Sequence, residues 1–195
     1  VIIADGAIDG MPSLDALRTA ASGSLACADT CADEVAFWLY SSGSTGNPKG
    51  VKHLHRSLMY TANAFGRDVL GIREDDIVYS AAKLFFAYGL GNGMTFPLAV
   101  GATTILTRER PTPALVLALL RRDSATVYFG VPTLYAAILA DEATRAEVGS
   151  SRLRLCVSAG EALPEATGRR WQERFGVPVI DGVGSTEMLH IFLSN

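Results

Sequence analysis

The stretch Ala125-Thr126-Val127-Tyr128-Phe129-Gly130-Val131-Pro132 decides how the fold is read. Residues 125–129 form a short apolar run, and Val131-Pro132 sets a proline at the first position of a helix, where its missing N–H costs nothing. The same alternation extends in both directions. Downstream, residues 153–158 and 177–180 read as strands, and Pro164 opens a helix in which Trp171 and Phe175 sit four apart before Gly176 and Pro178 close it. Upstream, residues 103–106, 77–80 and 34–41 read as strands, Thr112-Pro113 opens a further helix, and Leu58, Ala62, Phe65 and Val69 recur at helical spacing. Strands alternating with helices predict an α/β fold with mostly parallel sheets and flanking helices.

Composition agrees with a packed globule. Of 195 residues, 49% are hydrophobic and 19% charged, enough apolar surface for a core without disulfides or metals. A formal charge of -3, without a basic cluster, argues against a nucleic-acid surface. Apolar runs such as residues 114–120 fall far short of a membrane span, and the first residues lack a secretory signal, so a cytoplasmic protein with small-molecule partners is expected. Self-association is left open. Cys27 and Cys31 have no second ligand pair at finger-like spacing, so all three cysteines read as free thiols of a reducing compartment. His53 and His55, alternating on an expected strand, read as structural.

Polar, glycine-rich segments at 41–50, 81–91, 158–163 and 181–187 each follow an expected strand, and ligands of open parallel sheets bind at carboxyl ends of strands. Four loops are therefore expected to meet at one crevice. The first, Ser41-Ser42-Gly43-Ser44-Thr45-Gly46-Asn47-Pro48-Lys49-Gly50, is an anion cradle: glycines let amides face a phosphate, hydroxyls add donors, and Lys49 adds a point charge. Pro48 and Gly50 flank the lysine where a P-loop NTPase needs Gly and Ser or Thr, which disfavours that class.

This segment resembles the phosphate-binding signature of the adenylate-forming superfamily of acyl- and aryl-CoA ligases, luciferases and peptide-synthetase adenylation domains. Two more segments resemble the family in the same order: Ser158-Ala159-Gly160-Glu161-Ala162-Leu163-Pro164 its adenine-contacting loop, and Gly182-Val183-Gly184-Ser185-Thr186-Glu187 its aromatic-Gly-x-Thr-Glu segment. Residues 80–91 and 185–194 are most similar to benzoate-CoA ligases. The resemblance implies that 1–195 is the central portion of the AMP-binding domain, with the domain's start and a small C-terminal domain outside it. It also implies ATP-dependent activation of a benzoate-like aromatic carboxylate to an aryl-AMP and then to aryl-coenzyme A, releasing pyrophosphate and AMP.

Residue roles follow from the same resemblance. Ser41, Ser42, Gly43, Ser44, Thr45, Gly46 and Lys49 would hold the β- and γ-phosphates, Thr186 would donate to the α-phosphate, and Glu187 would help to hold Mg²⁺. Gly160, Glu161 and Ala162 would wall the adenine, and Asp181 and Gly182 would meet its amine. Phe86, Ala87, Tyr88, Gly89, Gly184, His190 and Ile191 would line the aryl site. Val183 stands where many members carry a stacking aromatic, and Trp38 is bulkier than the usual aliphatic residue. Other readings are a ligase for a substituted benzoate or another acyl group, an aryl-activating domain that loads a carrier protein, and a non-catalytic nucleotide-binding module. An amidase-like hydrolase would need a lysine well upstream of the Ser-Gly loop, and none precedes Lys49.

Overall fold

Val127, Tyr128 and Phe129 are all fully buried, because their strand is covered on both faces. Val127 and Phe129 pack with Val78, Leu155 and Val157 on one face. Tyr128 packs with Tyr79, Cys156 and Trp171 on the other, the period-two alternation of a strand. The computed structural model that shows this describes residue 6, residues 8–41 and residues 46–195.

The chain divides into two units, Val1–Cys31 and Ala32–Asn195. The first contains α1 (Leu14–Ala20), capped where the Ser13 hydroxyl accepts from the Ala16 N–H at 3.1 Å. The second runs β1 (Val35–Ser41), β2 (Lys49–Leu54), α2 (His55–Thr61), β3 (Ile77–Ser80), α3 (Ala87–Leu90), α4 (Phe96–Val100), β4 (Thr103–Ile105), α5 (Pro113–Arg122), β5 (Val127–Gly130), α6 (Pro132–Ala140), β6 (Leu155–Ala159), α7 (Glu165–Phe175), β7 (Val179–Gly184) and β8 (Ile191–Ser194). Wider π-helical turns extend α2 over Ala62–Arg67 and join α3 to α4 over Gly91–Thr95. No helix among the described residues is long and apolar enough to cross a membrane.

Six strands form one sheet in the order β4-β3-β5-β6-β7-β8, parallel except for β8. Residues of α5, α6 and α7 cover one face, where Trp171 meets Tyr135 edge-on with ring centroids 4.6 Å apart. Ala62, Phe65, Leu70 and Phe96 cover the other. Pro113 and Pro132 are the first residues of their helices, as expected, and Gly176 closes α7 with a left-handed φ of 74°.

Several expectations are corrected. The strand expected at 34–41 lies outside this sheet and pairs antiparallel with β2, Ser41 opposite Lys49, so the Ser-Gly segment connects a hairpin rather than leaving a parallel sheet. The last expected strand runs on through Asp181, Gly182, Val183 and Gly184, because β8 pairs with it where a loop was expected. His53 and His55 do not share a strand face: His53 is buried on β2, whereas His55 begins α2 and is exposed. The helical pattern ending at Val69 leaves that residue 55% exposed, since the π-turn shifts the buried stripe.

One polar cluster fastens the amino ends of three parallel strands. Asp76, just before β3, accepts from Arg154 Nε at 2.8 Å, from the Thr126 hydroxyl at 2.7 Å and from the Arg73 N–H at 2.8 Å. Burial alone would raise its carboxyl pKa, but hydrogen bonds from Arg154, Thr126 and Arg73 together with the Arg154 charge hold it below the ordinary 3.8. Asp76→Asn should therefore destabilise the fold by about 1.5–3 kcal/mol at neutral pH. This is less than a fully buried pair would lose, because the Arg154 side chain stays 31% exposed. A depressed folded-state pKa gives stability that is present above the unfolded value and lost as pH falls through the folded one. The gap between wild type and variant in urea melts should thus narrow below about pH 4.

Candidate functional site

Parallel pairing sets Ala159 beside Gly182, so the ends of β6 and β7 lie next to each other. Gly160 then leaves β6 with a φ of 97°, a conformation that glycine tolerates and side chains rarely adopt. Gly160, Glu161, Ala162, Asp181, Gly182, Val183 and Gly184 line a cleft of about 280 Å³. The residues expected at an adenine thus stand around one cavity. Asp181 Oδ2 accepts from the Leu163 N–H at 3.0 Å, which ties the loop to the strand, while its buried Oδ1 has no hydrogen-bond partner among the described residues. That free acceptor suits an amine. Val183 is 58% exposed and offers this cleft an aliphatic surface and no ring, as expected from its side chain.

A second cleft, of about 220 Å³, is lined by Phe86, Ala87, Tyr88, Gly184, His190 and Ile191, with Ala159, Gly160, Ser185 and Thr186 completing it. Six of the seven residues expected at an aryl group meet here. Gly89 does not: a Cβ on it would lie 2.0 Å from the Lys83 carbonyl oxygen, so its task is to let α3 start against the preceding turn. Gly182 and Gly184 work alike, since a Cβ would lie 2.7 Å from Ile191 Cγ2 in the first case and 2.8 Å from the His190 carbonyl oxygen in the second. The cavity is smaller than the ~300–1,000 Å³ that drug-sized ligands occupy, and it shares Phe86, Tyr88, Ala159 and Gly160 with a neighbouring cavity of about 830 Å³. Its polar walls are muted. Tyr88 Oη lies 3.2 Å from both the Gly130 and the Val157 carbonyl oxygens, so one phenol hydrogen serves two acceptors. Burial lowers the His190 pKa to about 3, the Tyr88 backbone carbonyl opposing, so the imidazole is neutral at pH 7.

The two clefts share Gly160 and Gly184. Thr186 lines the second of them, half-buried, while Glu187 faces a separate cavity of about 630 Å³ together with His53, Arg56 and Phe65. Burial lowers the His53 pKa below 6.5, and the Thr186 backbone and Glu187 carboxylate beside the ring only partly offset this. Ser41 and Lys49 face each other across the hairpin, with Lys49 and Gly46 exposed. Ser42, Gly43, Ser44 and Thr45 lie outside the described residues.

No group of three metal-ligating His, Cys, Asp or Glu side chains occurs among the described residues. An exposed single carboxylate such as Glu187 fits Mg²⁺, which is commonly held by one or two carboxylates and the phosphates of a substrate. Sequence reasoning missed Asn92, Ala159 and Ser185. Ser185 Oγ accepts from the Met188 N–H at 3.1 Å and closes the turn in front of His190. Gly91-Asn92-Gly93 reads as an ordinary turn, and nothing local marks its asparagine as buried.

The AMP-binding enzyme family model matches residues 4–195. The chain is 60% identical to a benzoate-CoA ligase of Thauera aromatica, over all of this chain and 36% of that protein. A crystal structure of a benzoate CoA ligase from Burkholderia xenovorans superposes with a TM-score of 0.89 at 49% identity, covering 100% of this chain and 38% of that one. An anthranilate CoA ligase in complex with anthranoyl-AMP superposes with a TM-score of 0.94 at 40% identity, covering 100% and 37%. The chain thus spans about a third of the length of the curated relatives it matches.

The close approach at Gly89 can be tested directly. A methyl group there would meet fixed backbone, so Gly89→Ala should destabilise the protein by about 1–3 kcal/mol or more in urea unfolding.

Proposed function

The chain belongs to the AMP-binding enzyme family, and from that premise we propose that it is the central portion of the AMP-binding domain of an ATP-dependent aryl-coenzyme A ligase. The observation that carries this reading is the junction of the two clefts at Gly160 and Gly184, next to Thr186. A ring in the smaller cleft and an adenine in the other would bring a carboxylate and an α-phosphate to that junction. The similarity to benzoate-CoA ligases supports a benzoate-like acid as substrate.

In the first step a carboxylate oxygen attacks the α-phosphorus, and the bond to pyrophosphate breaks. In the second the sulfur of coenzyme A attacks the acyl carbon, and AMP departs with the bridging oxygen. A bare carboxylate is a poor acyl donor, whereas AMP is a stable leaving group. The first step gathers negative charge on phosphate oxygens, and fixed donors lower its barrier. In this reading Thr186 donates to the α-phosphate, while Ser41, Gly46, Lys49 and the segment between them hold the β- and γ-phosphates. Gly160, Glu161, Ala162, Asp181 and Gly182 seat the adenine. Glu187 is the residue that would hold Mg²⁺, which neutralises phosphate charge when bound. The free thiols Cys27, Cys31 and Cys156 accord with a cytoplasmic enzyme.

Three outcomes test the assignment. The full-length enzyme should form pyrophosphate and aryl-CoA with benzoate at far higher kcat/KM than with acetate or octanoate, since a short acid leaves the cleft part-empty and a long one exceeds it. Preference for octanoate would discard the aryl reading and keep the adenylation one. Lys49→Ala should slow benzoate-dependent pyrophosphate exchange by about one to two orders of magnitude, the value of a lost charge-assisted hydrogen bond, and should slow thioester formation from preformed benzoyl-AMP much less. Residues 1–195 alone should show almost no benzoyl-AMP formation, because the remaining part of the domain and the small domain are needed; robust turnover by this piece would refute that division.

A further inference from the structure

We propose that Asn92 is a positioning residue whose side-chain carbonyl holds the His190 imidazole in one plane, and so sets the width of the cleft that receives the acyl group. The proposal rests on the aryl reading of that cleft.

Asn92 is completely buried on the π-helical turn between α3 and α4, and its Oδ1 lies 2.9 Å from His190 Nε2 across 98 residues of sequence. Its Nδ2 has no well-formed hydrogen bond among the described residues, and the same amide also faces the Tyr88 hydroxyl, so Asn92 touches two residues of the cleft wall. With Oδ1 facing the ring, Nε2 is the nitrogen placed to donate to it, and the Tyr88 backbone carbonyl also lies beside the imidazole.

The rest of the surroundings hold the ring in the same place. A Cβ at Gly91 would fall 2.4 Å from His190 Cδ2, so the ring edge rests on bare backbone. Phe65, Tyr88 and Phe96 surround it with centroids 5.5, 5.4 and 4.4 Å away, and of these Tyr88 alone titrates, well above its ordinary 10 because of burial. On the chain side, Leu189 takes a φ of 64°, a left-handed conformation unusual for leucine, and turns His190 inward. π-turns gather at functional sites because they shift one side chain out of helical phase. Asn92 lies on such a turn.

A neutral, flat imidazole suits the proposed substrate. An imidazolium at this wall would draw the carboxylate toward itself and away from the junction with the adenine cleft. Held neutral, the ring acts as an apolar side of the slot, and the carboxylate is left to face Thr186.

The test uses the full-length enzyme and benzoate-dependent pyrophosphate exchange. Asn92→Leu, similar in size and without the acceptor, should raise the KM for benzoate about tenfold while the KM for ATP stays within twofold. In a His190→Phe background the same change should add less than twofold, because its target is gone. Asn92→Asp keeps the acceptor but adds a charge that favours imidazolium, so the KM for benzoate should gain an inflection between pH 5 and 8 that wild type lacks. If Asn92→Leu does not fold, the Asp variant decides. An unmoved benzoate KM in Asn92→Leu, a full additive loss in the double variant, or a flat pH profile in Asn92→Asp would each overturn the proposal. A wild-type enzyme that activates octanoate and not benzoate would overturn the aryl reading and this proposal together.

Discussion

Both faces of the six-stranded sheet are sealed, one by α5, α6 and α7 and the other by the segments around Phe65 and Phe96. A small molecule can approach the backbone of such a sheet at the edge where parallel strands end and their connections diverge. That constraint explains why Ser80, Gly130, Ala159 and Gly184 finish their strands near residues that line clefts. At the opposite edge the chain spends its polar groups on holding strands together, with Asp76, Thr126 and Arg154 joined in one cluster. Stability and binding are thereby kept at different ends of the same strands.

At the binding end, glycine is placed where backbones or rings must touch. Gly184 admits the His190 carbonyl, Gly182 admits the Ile191 side chain, and Gly91 admits the His190 ring. These contacts hold the antiparallel β8 against the last parallel strand and bring its first residue, Ile191, into the wall of the smaller cleft. The strained φ at Leu189 lies in the same turn, so the local cost falls where positional accuracy matters most.

Much of this was legible in the sequence. Short apolar runs, proline at helix starts and Gly176 after α7 mark the parallel core correctly, because each signal acts within a few residues. The gathering of Gly160, Glu161, Ala162, Asp181 and Gly182 around one cleft was legible too, since β6 and β7 pair beside each other. Legibility failed where a local signal had two meanings. Gly182 and Gly184 look like turn formers, yet they extend β7 because β8 pairs alongside them. Residues 34–41 look like any buried strand, yet they pair into a separate ribbon with β2. Gly91-Asn92-Gly93 looks like a turn and is helical, and Asn92 could not be read because its partner is 98 residues away.

That separation also bears on how the protein is made. At the usual ~5–20 residues per second of synthesis, a ribosome needs about 5–20 s to travel from Asn92 to His190. Through that interval Phe65, Tyr88 and Phe96 have been synthesised, but the ring they will surround has not. The cleft that His190 and Ile191 line is therefore completed only late in synthesis, after most of the residues that wall it.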